Sequence, residues 1–262
     1  MPPPPDPWRA LRQHTPARIA QGRAGQSLPT AARLRFQLDH ARARDAVWLE
    51  ADFDQLTDDL NAAGLGPVIR LHSRAADRQT YLQRPDWGRR LDEASVTTLQ
   101  AEPASQPEVA LVVADGLSAF ALHANLLPFL QALCPRLRER GLRLAPISLV
   151  RQARVAIGDE VGELLGAKCV ALLVGERPGL SSPDSLGVYL TYAPAVGLTD
   201  ERRNCLSNIR RAGLPYDLAA DKLTYLITQA LRRQLSGVSL KDDYDPNRLD
   251  GPASAPLDDG TT

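Results

Sequence analysis

The chain has 262 residues, 44% hydrophobic and 24% charged, a near-average globular composition that excludes wholesale disorder and collagen-like repeats and leaves room for one large domain or two small ones. Lys+Arg and Asp+Glu both number 31, giving a formal net charge of zero. That removes the positive field used in non-specific binding to nucleic acid or anionic membrane, so neither partner is expected.

Charge is nevertheless uneven. Residues 1–50 carry eight Arg against four acids, and residues 241–262 carry two bases against six Asp. Only Lys168, Lys222 and Lys241 are lysines, beside 28 arginines, which reads as codon bias more than as a recognition surface. Cys134, Cys169 and Cys205 are odd in number, widely spaced and without a C-x-x-C pair, so neither a disulfide framework nor a zinc ribbon is indicated and a reducing compartment fits. Apolar runs such as residues 109–114 and 169–174 fall far short of the ~20 residues of a membrane helix, and Met1-Pro-Pro-Pro-Pro5 is not a signal peptide.

Residues 1–7 are Pro-rich and predict a flexible lead-in. Beyond Thr30, a candidate N-cap, residues 31–42 place Leu34 and Leu38 four apart, predicting an amphipathic helix packed through its leucines. Residues 52–64 predict a second helix and residues 67–72 a short strand. In residues 81–91, Pro85 pushes Arg84 out of helical space and Gly88 ends regularity, so the centre is expected to be a loop.

From residue 108 strands and helices alternate. Residues 109–114 form an unbroken apolar run, the mark of a strand buried on both faces, and Asp115-Gly-Leu-Ser118 is the turn after it. A helix is expected from near Ser118, split around residues 125–128 by Pro128 and ended by Gly141. A strand over 142–150, a helix over 157–165 and a buried strand over 169–174 follow. Then come a strand over 188–192, a helix from Thr199 through Asn208, and a long helix over 215–235 with Leu223, Leu226, Ile227, Ala230 and Leu231 inward. The expected organisation is a lead-in over 1–14, a mainly helical region over 15–107, an α/β domain over 108–240 and a disordered acidic tail over 241–262.

Neither G-x-G-x-x-G nor G-x-x-x-x-G-K-[ST] occurs, which argues against dinucleotide and P-loop sites. His14, His40, His72 and His123 are dispersed, and no metal site is assigned. Ser118 or Cys205 with His123 and Asp115 makes a poor hydrolase set, because G-x-S-x-G is absent and Ser118 and His123 are five apart on one predicted helix. Asp115 reads first as a turn-former and cap partner and second as an acid catalyst. Glu176-Arg177, fixed between Gly175 and Pro178 at the carboxyl end of a buried strand, is aimed at a ligand or forms an internal ion pair.

A set of motifs then carries a resemblance: Gly22-Arg-Ala-Gly25, Arg33-Leu-Arg-Phe36, Tyr81-Leu-x-Arg-Pro-Asp-x-Gly-Arg-Arg-Leu91, Asp115-Gly-Leu-Ser118, Arg154-Val-x-Ile157, Gly162-Glu-x-Leu-Gly-Ala-Lys168, Leu172-Leu-Val-Gly-Glu-Arg-Pro-Gly-Leu180 and Cys205-x-Ser-Asn-Ile209. Over roughly residues 15–240 the sequence resembles the small subunit of ethanolamine ammonia-lyase, an adenosylcobalamin-dependent enzyme family. The resemblance implies a Rossmann-like α/β fold with a mostly parallel sheet and a mainly helical N-terminal extension. It implies a TIM-barrel large subunit as partner, six copies of each chain, and cobalamin between the two. By motif, Val155, Glu176 and Cys205 are the implied cofactor contacts, with no catalytic residue on this chain. The absence of a D-x-H-x-x-G segment agrees with base-on binding, in which the cofactor keeps its own dimethylbenzimidazole on cobalt. The expected location is the cytoplasm. The Pro-rich start lacks the amphipathic helix that can target such enzymes to a bacterial microcompartment, so encapsulation stays open. Arg84, Arg89 and Arg90 face the partner, the cofactor's phosphate or solvent. The alternative reading is a Rossmann-like assembly scaffold that has lost its cofactor.

Overall fold

The computed structural model describes residues 6–15, 17–103 and 105–245. Residues 1–5, and 246–262 of the expected acidic tail, lie outside the described residues. Six strands, β1 (Val68–His72), β2 (Val109–Ala114), β3 (Ile147–Arg151), β4 (Cys169–Gly175), β5 (Leu186–Tyr192) and β6 (Arg203–Ile209), form one sheet in the order β1-β3-β2-β4-β5-β6. The β1-β3, β3-β2 and β2-β4 pairings are parallel, whereas β5 and β6 add on antiparallel. The architecture is α/β with a mostly parallel sheet, and β1, from the stretch expected to be mainly helical, is part of it.

The apolar run of β2 follows from its two covered faces. Val109, Leu111 and Val113 pack on one side with α5 (Ala119–Glu139) and α7 (Tyr216–Arg233), and with Phe53, Leu56 and Leu60 of α2 (Phe53–Ala62). Ala110, Val112 and Ala114 pack on the other with α6 (Ile157–Leu164) and with Leu91 and Leu99, the latter on α4 (Glu93–Gln100). A period-2 strand buried on both faces has no polar position to spare. The link from β2 to β3 runs through α5 on the first face, and the link from β3 to β4 runs through α6 on the second. The chain therefore leaves β2 toward one side and returns past it to the other, which opens a crevice at the carboxyl ends of the strands.

Several expectations need correction. The helix after Ser118 is not split: α5 runs unbroken with Pro128 and Pro135 inside it. An interior proline costs about 3 kcal/mol, and the fully buried Leu122, Leu126, Phe129, Leu130, Leu133 and Leu137 outweigh it at roughly 1.5–3 kcal/mol each. No helix spans 199–208. Thr199 precedes a 3-10 turn, Asp200–Arg202, and β6 follows. Arg203, Leu206 and Ile209 are buried at a spacing of three, which imitates a helical period in the sequence: Arg203 and Leu206 lie in regular register on opposite faces, and a bulge opposite Gly187, with a positive φ of 61° at Asn208, turns Ile209 to the side of Leu206. The strand predicted over 142–150 is confined to Ile147–Arg151, and α4 was not foreseen.

The helix predicted near residue 30 is present as α1 (Thr30–Trp48), but inverted. Pro29 rather than Thr30 occupies the cap position, Leu34 and Leu38 are 59% and 50% exposed, and Ala46 is the residue it buries. Two other helices start where expected, Asp52 capping α2 by accepting from Asp54 N and Gln55 N and Ser118 capping α5 by accepting from Ala121 N, whereas the short α3 (Arg78–Gln83), capped by Asp77 accepting from Thr80 N, was not expected. Along α7, Leu223, Leu226, Ile227 and Ala230 are buried and Leu231 only partly so.

An ion pair closes the sheet's far side. The Arg203 guanidinium of β6 donates to both oxygens of Asp159 in the first turn of α6, at 2.6 and 2.8 Å, and also to Thr191 Oγ1 and Leu198 O. Both side chains are only 2% exposed. Arg203→Met strands a buried carboxylate and is expected to lower stability by about 3–5 kcal/mol in urea denaturation, while Asp159→Leu combined with Arg203→Met recovers most of that loss. Equal losses in the single and double variants would contradict this account of the pair.

Candidate functional site

Three loops rim the crevice at the carboxyl ends of β2, β3 and β4. The ends are brought close because Gly116, at φ 59°, has no side chain: a Cβ there would lie 2.3 Å from Gly175 O. Asp115, fully buried at the end of β2, accepts from Gln152 N at 2.9 Å and Ala153 N at 3.0 Å, so it pins the loop after β3. Burial pushes its carboxyl above the ordinary aspartate value, against the pull of those N–H groups and of the Arg78 charge. It neither caps α5 nor faces a reactive partner. Arg78 is itself buried and bridges Val47 O at 2.7 Å to Gly116 O at 2.8 Å, tying the end of α1 to the same rim.

A recess of about 480 Å³ opens between these loops, lined by residues that include Gly116, Leu117, Arg154, Val155, Glu176, Arg177, Tyr189 and Ser207. A second, of about 660 Å³, lies beside it between the loops that carry Arg89 and Asp200, and Arg154, Val155 and Tyr189 line both. Val155 and Glu176, singled out in the sequence, thus meet in one groove. Cys205 stands next to it: it is paired with Tyr189 across the β5–β6 ladder, and Ser207, two residues on, lies on the same strand face.

Glu176 is held in place by its neighbours. Oε2 accepts from Ser185 Oγ and from Asn208 N at 3.2 Å, and Oε1 accepts from Ser207 Oγ at 2.6 Å. Gly187 lies beneath, where a Cβ would come within 2.8 Å of Glu176 Oε1. A carboxylate offers about four acceptor sites, so three accepted bonds leave about one available on a residue that lines the groove. Of the two alternatives for Glu176-Arg177, the internal ion pair does not form; among the described residues Arg177 has no carboxylate within ion-pair distance.

The remaining candidates are occupied elsewhere. Ser118 Oγ donates to Pro183 O at 2.7 Å, and His123 Nε2 accepts from Asp52 N at 3.1 Å, so serine and histidine serve separate contacts and form no nucleophile–base pair. Cys205 is exposed, but burial around its sulfur pushes the thiol above its ordinary value, with the nearby Tyr189 hydroxyl acting against that. Tyr189 itself is pushed up to about 12, chiefly by burial. Both groups are neutral at pH 7, which suits contact rather than covalent chemistry. The sequence reading missed Tyr189, Ser185 and Ser207; the Cys205-x-Ser207 spacing would have exposed one of them had this segment been read as a strand.

The sequence model of the ethanolamine ammonia-lyase light chain (EutC) matches residues 5–241. The chain belongs to this family. It is 58% identical over 254 residues to the ethanolamine ammonia-lyase small subunit of Azotobacter vinelandii, covering 96% of this chain and 94% of that one. It is 56% identical over 257 residues to the protein of the same name from Pseudomonas putida strain F1, covering 97% and 94%. A third small subunit, from Pseudomonas aeruginosa strain PAO1, is 57% identical over 251 residues, covering 95% and 92%. The chain is accordingly a lyase subunit, and a small subunit has a large-subunit partner. Among the described residues no helix is long and apolar enough to cross a membrane.

At pH 7 the Cys205 thiolate is scarcer than in a free cysteine, so its alkylation by iodoacetamide is expected to be slow and to rise at a higher pH than that of a free cysteine. Tyr189→Phe removes a group that draws the thiol's value down and should slow labelling further. Rapid labelling at pH 7 would contradict the assignment of Cys205 as a neutral contact.

Proposed function

We propose that the groove at the carboxyl ends of β2, β3 and β4 binds one side of adenosylcobalamin, base-on, while the large subunit covers the other. The observation that carries this reading is the meeting of Val155 and Glu176 in a single recess whose wall continues into a second one. Two recesses sharing a wall suit a broad disc better than a compact ligand. The residues present fit the group. The corrin rim bears amides, and the free acceptor site of Glu176 takes an amide N–H. Val155, Leu117 and Val174 offer apolar contact, and Cys205 with Tyr189 offers neutral, polarizable surface beside it. When bound, the cofactor supplies homolysis of its cobalt–carbon bond for the radical deamination of ethanolamine to acetaldehyde and ammonia. This chain's residues bind, orient and shield; the groups that touch substrate belong to the large subunit, a TIM barrel in this reading, in an assembly with six copies of each chain.

The inverted helix α1 supports the position of that partner. Leu34, Leu38 and Trp48 project outward at 50% exposure or more. Arg78 fixes one end of α1 to the Gly116 rim, and Arg18 joins Asp39 at 2.7 Å to Leu180 O at 3.4 Å in the loop after β4. A chain that caps the groove therefore meets these apolar side chains at its edge, where their burial adds roughly 1.5–3 kcal/mol each. A Rossmann-like fold for the sheet, with the residues before about 107 as its N-terminal extension, and a cytoplasmic location complete the proposal.

Copurification of the two subunits tests the reading. The wild-type complex is expected to retain cobalamin absorbance, and Glu176→Ala to weaken retention by about ten- to a hundredfold, the range for losing a hydrogen bond to a charged group. A wild-type complex devoid of cobalamin affinity would leave the assembly-scaffold reading in its place.

A further inference from the structure

The groove's charged side chains divide into two sets. Arg90 donates to both oxygens of Glu160 at 2.8 and 3.1 Å, Arg84 is joined to Asp86 at 2.6 Å, and Arg203 is neutralised by Asp159. Arg89, Arg154 and Arg177 line the two recesses with no carboxylate within 4.0 Å among the described residues. Arg154 stands on the shared wall. Its guanidinium carbon lies 4.1 Å from the centroid of the Tyr81 ring, Nη2 donates to Tyr81 O at 3.1 Å, and Nε is buried without an acceptor. That Nε is enclosed by protein, so the donors left for a ligand in the recess are those of the Nη atoms, and a planar fork of donors matches phosphate better than it matches any neutral group. The first amides of α6 do not compete for an anion here, because Ile157 N, Gly158 N and Asp159 N donate to Arg154 O, Val155 O and Ala156 O.

We infer that Arg89, Arg154 and Arg177 form an anion subsite that holds the phosphodiester of the cofactor's nucleotide loop. This rests on the cobalamin reading above and deepens it: Glu176 takes amide donors in the first recess, while Arg154 on the shared wall, Arg177 at the first recess and Arg89 at the second take the ligand's negative charge. Arg84 and Arg90, the other basic residues of the Tyr81–Leu91 segment, are excluded by their carboxylate partners.

The test uses the complex of both subunits and two probes, cyanocobalamin and cyanocobinamide; the second keeps cobalt and corrin but lacks the phosphodiester and base. Dissociation constants are measured by equilibrium dialysis. Arg89→Met and Arg154→Met are each expected to raise the cyanocobalamin constant by about ten- to a hundredfold while changing the cyanocobinamide constant less than about twofold. Arg154→Lys, which keeps the charge, recovers part of the loss. Arg89 and Arg177 are exposed, so Arg89→Met and Arg177→Met keep the test intact if Arg154→Met fails to fold. Parallel weakening of both probes, no weakening of either, or no recovery with lysine overturns the subsite. A wild-type complex that binds neither probe overturns the cobalamin reading itself.

Discussion

The carboxylate of Asp115 is the constraint on which the groove depends. It lies at the end of the central strand and is fully buried, with the Gln152 and Ala153 amides donating to it. A carboxylate in that position is tolerable only while those donors are in place, since burial without them costs several kcal/mol. The loop carrying Arg154 and Val155 is thus locked to the end of β2, and through Gly116 to the end of β4. Arg78 extends the lock to α1. The rim is thus tied together by hydrogen bonds from two buried charged side chains to backbone and by one close glycine contact.

On that rim the chain presents acceptors, cations and apolar surface, but no activated nucleophile. Ser118, His123 and Asp115 are consumed by structural hydrogen bonds, and burial keeps the Cys205 thiol and the Tyr189 phenol neutral. Such a surface suits the binding role proposed for this small subunit, in which Glu176, braced by two hydroxyls and an amide, is not left to swing.

Much of this was legible in the residues, and the failures have physical causes. The double-faced burial of β2 and β4 was plain in runs such as Val109–Ala114 because a strand covered on both sides tolerates no polar position. The loops after β3 and β4 were placed correctly, so Val155 and Glu176 arrived in one groove. Leu34 and Leu38 misled because periodicity reports that apolar residues share a face without reporting which way it looks. Burial of Arg203 on one face of β6 and of Leu206 and Ile209 on the other, across the bulge at Asn208, gave a helical spacing on a strand, which misplaced Cys205 locally while its neighbourhood near Tyr189 stayed hidden. Pro128 and Pro135 misled for the opposite reason: a local cost was visible, and the core that outweighs it was not.

A density map of the two-subunit complex with cobalamin bound tests the central claim most directly. The account predicts the corrin lying against the loops after β3 and β4, with an amide of its rim within hydrogen-bond distance of the Glu176 carboxylate and Val155 in contact with the ring. A map in which the corrin lies clear of both loops would contradict it.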